Sequence, residues 1–261
     1  MPDAPSAPER NAGGKSPREV REMFARVARR YDLLNHLLSF GQDIRWRRIA
    51  AREAAKAVRE GEAAGGGAAP LILADLCAGT GDLALAFRAA APSARVVALD
   101  FTPEMLCLGP RKAAQAGLGG ICFVLADALR VPLRDGSVAA AGVAFGIRNV
   151  ADLDAALREM SRIVRPGGRV LILEFTRPRG HFFGPLYLFY LRRVLPLLGR
   201  LISWTSGDAY RYLPQSVGAF AGPEEMAERM RAAGLSDVRA VPLTCGVVHL
   251  YVGTTRRSPG Q

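Results

Sequence analysis

Residues 71–74 run apolar up to Asp75, the chain breaks at Gly79 and Gly81, and from Asp82 apolar positions recur three and four apart. An apolar run bounded by glycines predicts a buried strand, and the period after it predicts a helix over 82–90. The same alternation continues downstream. Apolar runs predict strands over 95–99, 120–125, 138–145 and 169–175, with helical periods over 103–116 and 151–164. A helix over 223–233 and strands over 238–243 and 247–254 follow. Alternation of this kind implies parallel strands, right-handed crossovers and helices on both faces of the sheet.

The first sixty residues read differently. Residues 1–16 are rich in Pro, Ala and Gly without a period and are expected to be a disordered tail. From Pro17, with Ser16 as cap, Val20, Phe24 and Val27 mark a helix. A second short helix runs from Tyr31 to a stop at Gly41, and a third covers 43–59 with Trp46 and Ile49 on its apolar side. This cap, 17–60, joins the main domain, 71–255, through a Gly-rich linker at 61–70; residues 256–261 form a tail.

Composition narrows the class. The 261 residues suffice for one large domain, and 49% apolar with 7% aromatic residues is ordinary for a globular chain. The net charge of +11 is not ordinary; its excess concentrates between Ser161 and Tyr212 and suits nucleic acid, anionic lipid, an anionic substrate or simply a solvated surface. Cys77, Cys107, Cys122 and Cys245 are scattered, which argues against a zinc site or a disulfide framework. No stretch reaches the roughly 18 uncharged apolar residues of a membrane span. The nearest approach, Phe182 to Ser203, is interrupted by Arg192, Arg193 and Arg200.

A strand, a glycine turn and a helix are the parts of a nucleotide-type site, and Gly79, Gly81 and Ala84 fit the dinucleotide spacing as well. Asp100, closing the next strand, suits the ribose of either NAD or S-adenosylmethionine. Three features favour the latter over NAD(P). Asp82 sits where a pyrophosphate would meet the helix mouth and would repel it. Asp127 ends the third strand where it can receive an adenine amino group. Arg165 to Gly168 makes the Arg-Pro-Gly-Gly turn shared by many methyltransferases.

At this point the chain resembles the C-methyltransferases of menaquinone and ubiquinone biosynthesis. The resemblance rests on Tyr31-Asp-x-x-Asn35, Ser39-Phe-Gly41 and Trp46, on Phe145-Gly-Ile-Arg-Asn149, and on the stretch from Arg165 to Phe175. Tyr210-Arg-Tyr-Leu213 and Thr244-x-Gly246 extend it. It implies an α/β fold: a Rossmann-like class I methyltransferase with a mostly parallel seven-stranded sheet, helices on both faces, an N-terminal helical cap and a helical insertion near 180–213. It implies S-adenosylmethionine, with no metal, contacted by Thr80, Asp100, Asp127 and Ala128; Asp75, Gly79, Gly81, Phe101 and Ala144 complete the expected cofactor set. Ala144 stands where many relatives have Ser, and Asp43 and Tyr251 where many have His. The substrate implied is a polyprenylated quinol, naphthoquinol or benzoquinol, methylated at a ring carbon.

Such chemistry needs an ionised or partly ionised hydroxyl beside the attacked carbon, and alignment with exclusion of water rather than a covalent intermediate. Arg148, at the end of the fourth strand, is expected to stabilise the phenolate while a bound water takes the proton, with Asn149 and Tyr31 orienting the ring. The bland alternative for Arg148 is a salt bridge to a neighbour such as Asp152. The apolar residues of 182–198 would form a prenyl groove, and the same cationic helix suits an anionic membrane surface, a lid or a homodimer contact. The expected location is the cytoplasm, peripheral to the inner face of the cell membrane. A nucleic-acid substrate is not expected, because no Asn/Asp-Pro-Pro-aromatic loop and no RNA-binding module is evident.

Overall fold

Ser16 starts the first helix. Its Oγ accepts from the Glu19 amide at 3.4 Å, its own amide donates to Glu19 Oε2 at 2.8 Å, and Pro17 occupies the first turn, where a missing N–H costs nothing. In this computed structural model, which describes residues 10–65, 69–178 and 207–256, helix α1 spans Pro17–Leu38. The two short helices expected there are one. Val20, Met23, Val27, Ala28 and Leu34 form its unbroken buried stripe. The segment expected to be a prenyl groove and most of the helical insertion lie outside the described residues, as does the end of the C-terminal tail.

Gly41, at φ 71°, turns the chain into α2, Gln42–Ala63. Its alanine-rich face (Ala50, Ala51, Ala54, Ala55 and Ala57) lets it lie close against the sheet and against α3, Asp82–Ala90. Helix α2 therefore takes the first residues of the expected linker. Gly61 belongs to the helix because the Arg165 guanidinium crosses it, leaving no room for a Cβ, and Arg165 Nη2 donates to the Ala57 carbonyl at 2.9 Å.

Seven strands form one sheet: β1 Ile72–Leu76, β2 Arg95–Asp100, β3 Ile121–Leu125, β4 Val138–Ala144, β5 Val164–Phe175, β6 Leu235–Leu243 and β7 Val248–Thr255. Their order is β3-β2-β1-β4-β5-β7-β6, parallel except for β7, which runs antiparallel to both of its neighbours. Trp46, Leu83 and Phe87 fill one face of this sheet. Leu157, Met160 and Ile163 of α6, Leu153–Ile163, fill the other together with Met226 and Met230 of α8, Pro223–Ala232. Helix α7, Gly207–Ala219, precedes α8.

Two local expectations change. The helix expected over 103–116 is two, α4 Pro103–Leu106 and α5 Gly109–Gln115, because Pro110 has no N–H to bond back one turn and Gly109 lies against the Phe123 ring. The turn expected before the fifth strand is a bulge within β5: Val138 pairs with Val164, but Ala140 pairs with Arg169. Gly168 permits it, since a Cβ there would stand 2.6 Å from the Ala139 carbonyl oxygen. β1 pairs with β2 on one side and β4 on the other, so the chain reverses its winding there and leaves a crevice at the carboxyl ends.

Candidate functional site

That crevice is a cavity of about 960 Å³. Its floor is the turn after β1, where Cys77, Gly79 and Gly81 all take positive φ. Gly79 is held from behind: its amide donates to Asp100 Oδ2 at 2.7 Å, while Asp100 Oδ1 accepts from the Thr102 amide at 2.8 Å. Two backbone bonds thus fix the Asp100 carboxylate at the cavity wall. Asp75, 1% exposed, accepts the Ala84 amide on Oδ2 at 2.8 Å and leaves Oδ1 without a partner. Burial pushes its carboxyl well above the usual range, and burial raises Asp100 more modestly against those amide bonds. The Cys77 thiol is pushed well up by burial and by the nearby carboxylates, so it stays protonated and is no nucleophile.

Asp75, Gly79, Thr80, Asp100, Phe101, Asp127, Ala128 and Ala144 all line this cavity, as do Tyr31 and Asn149. Gly81 stands just behind it as the cap of α3, where a Cβ would clash with the Phe123 ring at 2.9 Å. Asp127 spends Oδ1 on the Leu129 amide at 2.9 Å. Gly146, which the sequence did not single out, is more tightly placed than the glycines of the turn, since a Cβ there would lie 2.5 Å from that of Cys77.

Arg148 lies elsewhere, in the wall of a second cavity of about 630 Å³ that shares Phe24, Tyr31, Arg47 and Phe145 with the first. Asp152 is not its partner; Asp152 caps α6 by accepting the Ala155 amide. Arg148 Nη1 instead donates to Glu174 Oε1 at 2.8 Å and also to the Phe145 carbonyl, while Nε donates to Ser216 Oγ at 3.3 Å. Tyr212 and Asn35 complete this second wall. Burial raises the Tyr31 phenol, which therefore remains protonated at neutral pH.

An ionic chain closes the roof. Thr80 Oγ1 donates to Asp32 of α1 at 2.6 Å, and Lys112 of α5 reaches Asp32 at 2.6 Å, Asp82 at 2.5 Å and Thr80 at 2.9 Å. Arg47 lies between Asp82 at 3.7 Å and Asp43 at 2.5 Å. His36, Asp43 and Asp82 converge closely enough to resemble a metal site, but Ser39, His36 and Arg47 take up the Asp43 oxygens and Lys112 takes Asp82 Oδ1, while Asp82 Oδ2 has no hydrogen bond and lies 3.7 Å from the Arg47 guanidinium. Thr80 lines the cavity while its hydroxyl donates to Asp32. Asp82 is answered by Lys112 and Arg47, so its charge no longer decides against a phosphate. Tyr251 is fully buried in β7 and serves the core.

The decision comes from comparison. Residues 12–255 match the family model described as the ubiE/COQ5 methyltransferase family. The chain belongs to that family. A demethylmenaquinone methyltransferase of Thermus thermophilus is 49% identical over 231 residues, covering 88% of this chain and 99% of that one. One from Deinococcus radiodurans is 44% identical over 237 residues, 91% and 92% of the two chains. A ubiquinone/menaquinone biosynthesis C-methyltransferase of Syntrophotalea carbinolica is 45% identical over 243 residues, 93% and 96%. Among solved structures, a methyltransferase from Thermotoga maritima superposes with TM-score 0.57 at 17% identity, over 90% of this chain and 99% of that one. The protein is an S-adenosylmethionine-dependent methyltransferase with the Rossmann-like fold of its class. The methyltransferase's donor set fits that cofactor: Asp75 Oδ1 is an orphaned buried acceptor at the cavity, suited to an ammonium group, and Asp100 is pre-oriented for hydroxyls.

Proposed function

We propose that this methyltransferase methylates a ring carbon of a polyprenylated quinol, and that demethylmenaquinol is the substrate, as the names of its relatives suggest. The observation that carries the reading is the second cavity: it adjoins the first through shared walls and presents Tyr31, Tyr212 and Arg148 to whatever lies beside the cofactor. The corresponding benzoquinol, named in other relatives, is the alternative.

When bound, S-adenosylmethionine supplies a methyl group already activated on a sulfonium. Asp75 receives the ammonium, Asp100 the ribose hydroxyls and Asp127 the adenine amino group, with Gly79, Gly81 and Gly146 keeping the walls free of side chains. Arg148, fixed by Glu174, places a permanent positive charge beside the substrate oxygen and favours its ionised form while water accepts the proton. Tyr31 and Asn149 orient the ring. The roof of α1 excludes water from the reacting atoms.

The reading includes a cytoplasmic enzyme in peripheral contact with an anionic membrane, where a prenylated substrate is met. Among the described residues no helix is long and apolar enough to cross a membrane. Leu33, Leu37, Phe40 and Ile44 expose apolar surface at the corner between α1 and α2, which supports such contact. A homodimer is also part of the proposal.

The test uses purified protein, methyl-labelled S-adenosylmethionine and short-chain quinones. Label is expected in reduced demethylmenaquinol, less in the benzoquinol and none in oxidised demethylmenaquinone or RNA. Absence of label from both quinols overturns the reading.

A further inference from the structure

Just before the first helix, the chain makes a turn whose side chain reaches into the site. Asn11 is 6% exposed, although it falls in the segment expected to be a disordered tail. Its Oδ1 accepts the amides of Gly13 and Lys15, both at 3.0 Å, which closes a local turn. Its Nδ2 faces away from that turn, donating to Tyr212 Oη at 2.7 Å and to the Asn149 carbonyl at 3.1 Å. Tyr212 Oη in turn donates to Asn149 Oδ1 at 2.9 Å.

The donor arithmetic is closed. A phenol has one proton to give. Because Asn11 Nδ2 fills an acceptor site on Tyr212 Oη, that proton goes to Asn149, and this bond sets which way the Asn149 amide faces. Gly13 reinforces the arrangement, since it lies flat against the Tyr212 ring with no space for a Cβ. Lys15 Nζ stands 5.6 Å from the centre of the same ring. Asn149 lines the first cavity and Tyr212 the second, so the triad sits where the two meet.

We propose that Asn11 is a positioning residue for methyl transfer, holding the Tyr212 hydroxyl and through it the Asn149 amide that faces the substrate ring. The N-terminal turn is then part of the active site. This inference rests on the quinol reading for its catalytic consequence, but not for its structural content.

The separating variant is Asn11→Asp. It keeps an oxygen for the Gly13 and Lys15 amides, so the turn survives, and it replaces the donor with an acceptor that draws the Tyr212 proton away from Asn149. In the full-length enzyme, kcat for the quinol is expected to fall about tenfold, the size of one misdirected hydrogen bond. S-adenosylhomocysteine affinity stays near that of the parent, while the thermal midpoint falls by a few degrees, because the new oxygen also faces the Asn149 carbonyl. The loss is expected to shrink to under about twofold in a Tyr212→Phe background, where there is no hydroxyl left to direct. Amide exchange at Asn149 and Val150 is expected to accelerate several-fold.

Unchanged kcat with unchanged exchange overturns the proposal. So does a parallel fall of kcat, S-adenosylhomocysteine affinity and thermal midpoint, which marks a merely structural residue. If the parent itself turns over no quinol, the quinol reading fails, and the exchange comparison alone decides for or against the brace.

Discussion

Arg148 and Glu174 face each other across the ends of β4 and β5 at 2.8 Å, with only 6% and 0% of their side chains in water. Burial raises the Glu174 carboxyl, and Arg148 with the Phe175 amide works against that rise. Breaking such a pair from one side strands a buried charge at a cost of about 3–5 kcal/mol. Arg148→Ala is therefore expected to lower both stability and turnover. Adding Glu174→Gln to Arg148→Ala should recover part of the stability, read by urea denaturation, but none of the turnover. Recovery of both would make Arg148 a purely structural residue.

The clamp on the roof has its own signature. Lys112→Met removes the cation that Asp32 and Asp82 share and should cost about 1–2 kcal/mol, less at high salt because the group is partly exposed. Burial pushes the Asp82 carboxyl up, but Arg47 and Lys112 outweigh it and hold it below the usual range. Its stabilising contribution is thus present above the unfolded value near ~3.9 and is lost as pH falls through the lower folded value. Asp82→Asn should flatten that acid limb in a denaturation series from neutral pH downward.

Asp75 carries the opposite sign. Its folded value lies above the unfolded one, so the native state holds the proton more tightly. Its contribution is full below about pH 3.9 and declines as pH rises through the folded value. Asp75→Asn should remove this decline while keeping the bond from Ala84. Calorimetry should show about tenfold weaker S-adenosylhomocysteine binding, since an amide cannot ionise to meet the ammonium as the carboxyl can. Equal binding by parent and variant would move the ammonium site elsewhere.

Gly146→Ala tests the crowding beside the turn after β1. The new methyl would lie 2.5 Å from Cys77 Cβ, so the wall must shift. An overpacking cost of about 1–3 kcal/mol is expected, with S-adenosylhomocysteine affinity reduced more than about tenfold. Gly119→Ala, with nothing within 4 Å of the added carbon, is the matched control and should leave binding unchanged.

Much of this was legible from residue order alone. Helix α3 falls on its expected span, and the strand endings that carry Asp75, Asp100, Asp127 and Ala144 converge because parallel strands must present their carboxyl ends on one side. The partner of Arg148 was not legible: Glu174 meets it through the β4–β5 register, which no local spacing reports. Lys112 gave no signal in the sequence, because its partners Asp32 and Asp82 lie 80 and 30 residues away along the chain. Asn11 was hidden for a compositional reason, since one buried Asn inside a Pro-, Ala- and Gly-rich stretch leaves no period. Gly61 misled in the same way, reading as a flexible joint where it is a close crossing.

The second cavity is walled by Met23 to Arg47 from one end of the chain and by Tyr212 and Leu213 from far along it, while the sheet between them supplies little more than Phe145, Arg148 and Phe175. Proteolytic clipping ahead of α1 would leave these walls and the parallel scaffold in place and remove only the Asn11 turn that braces Tyr212. A nicked preparation would keep its circular dichroism while its turnover fell by about the tenfold expected of one misdirected hydrogen bond.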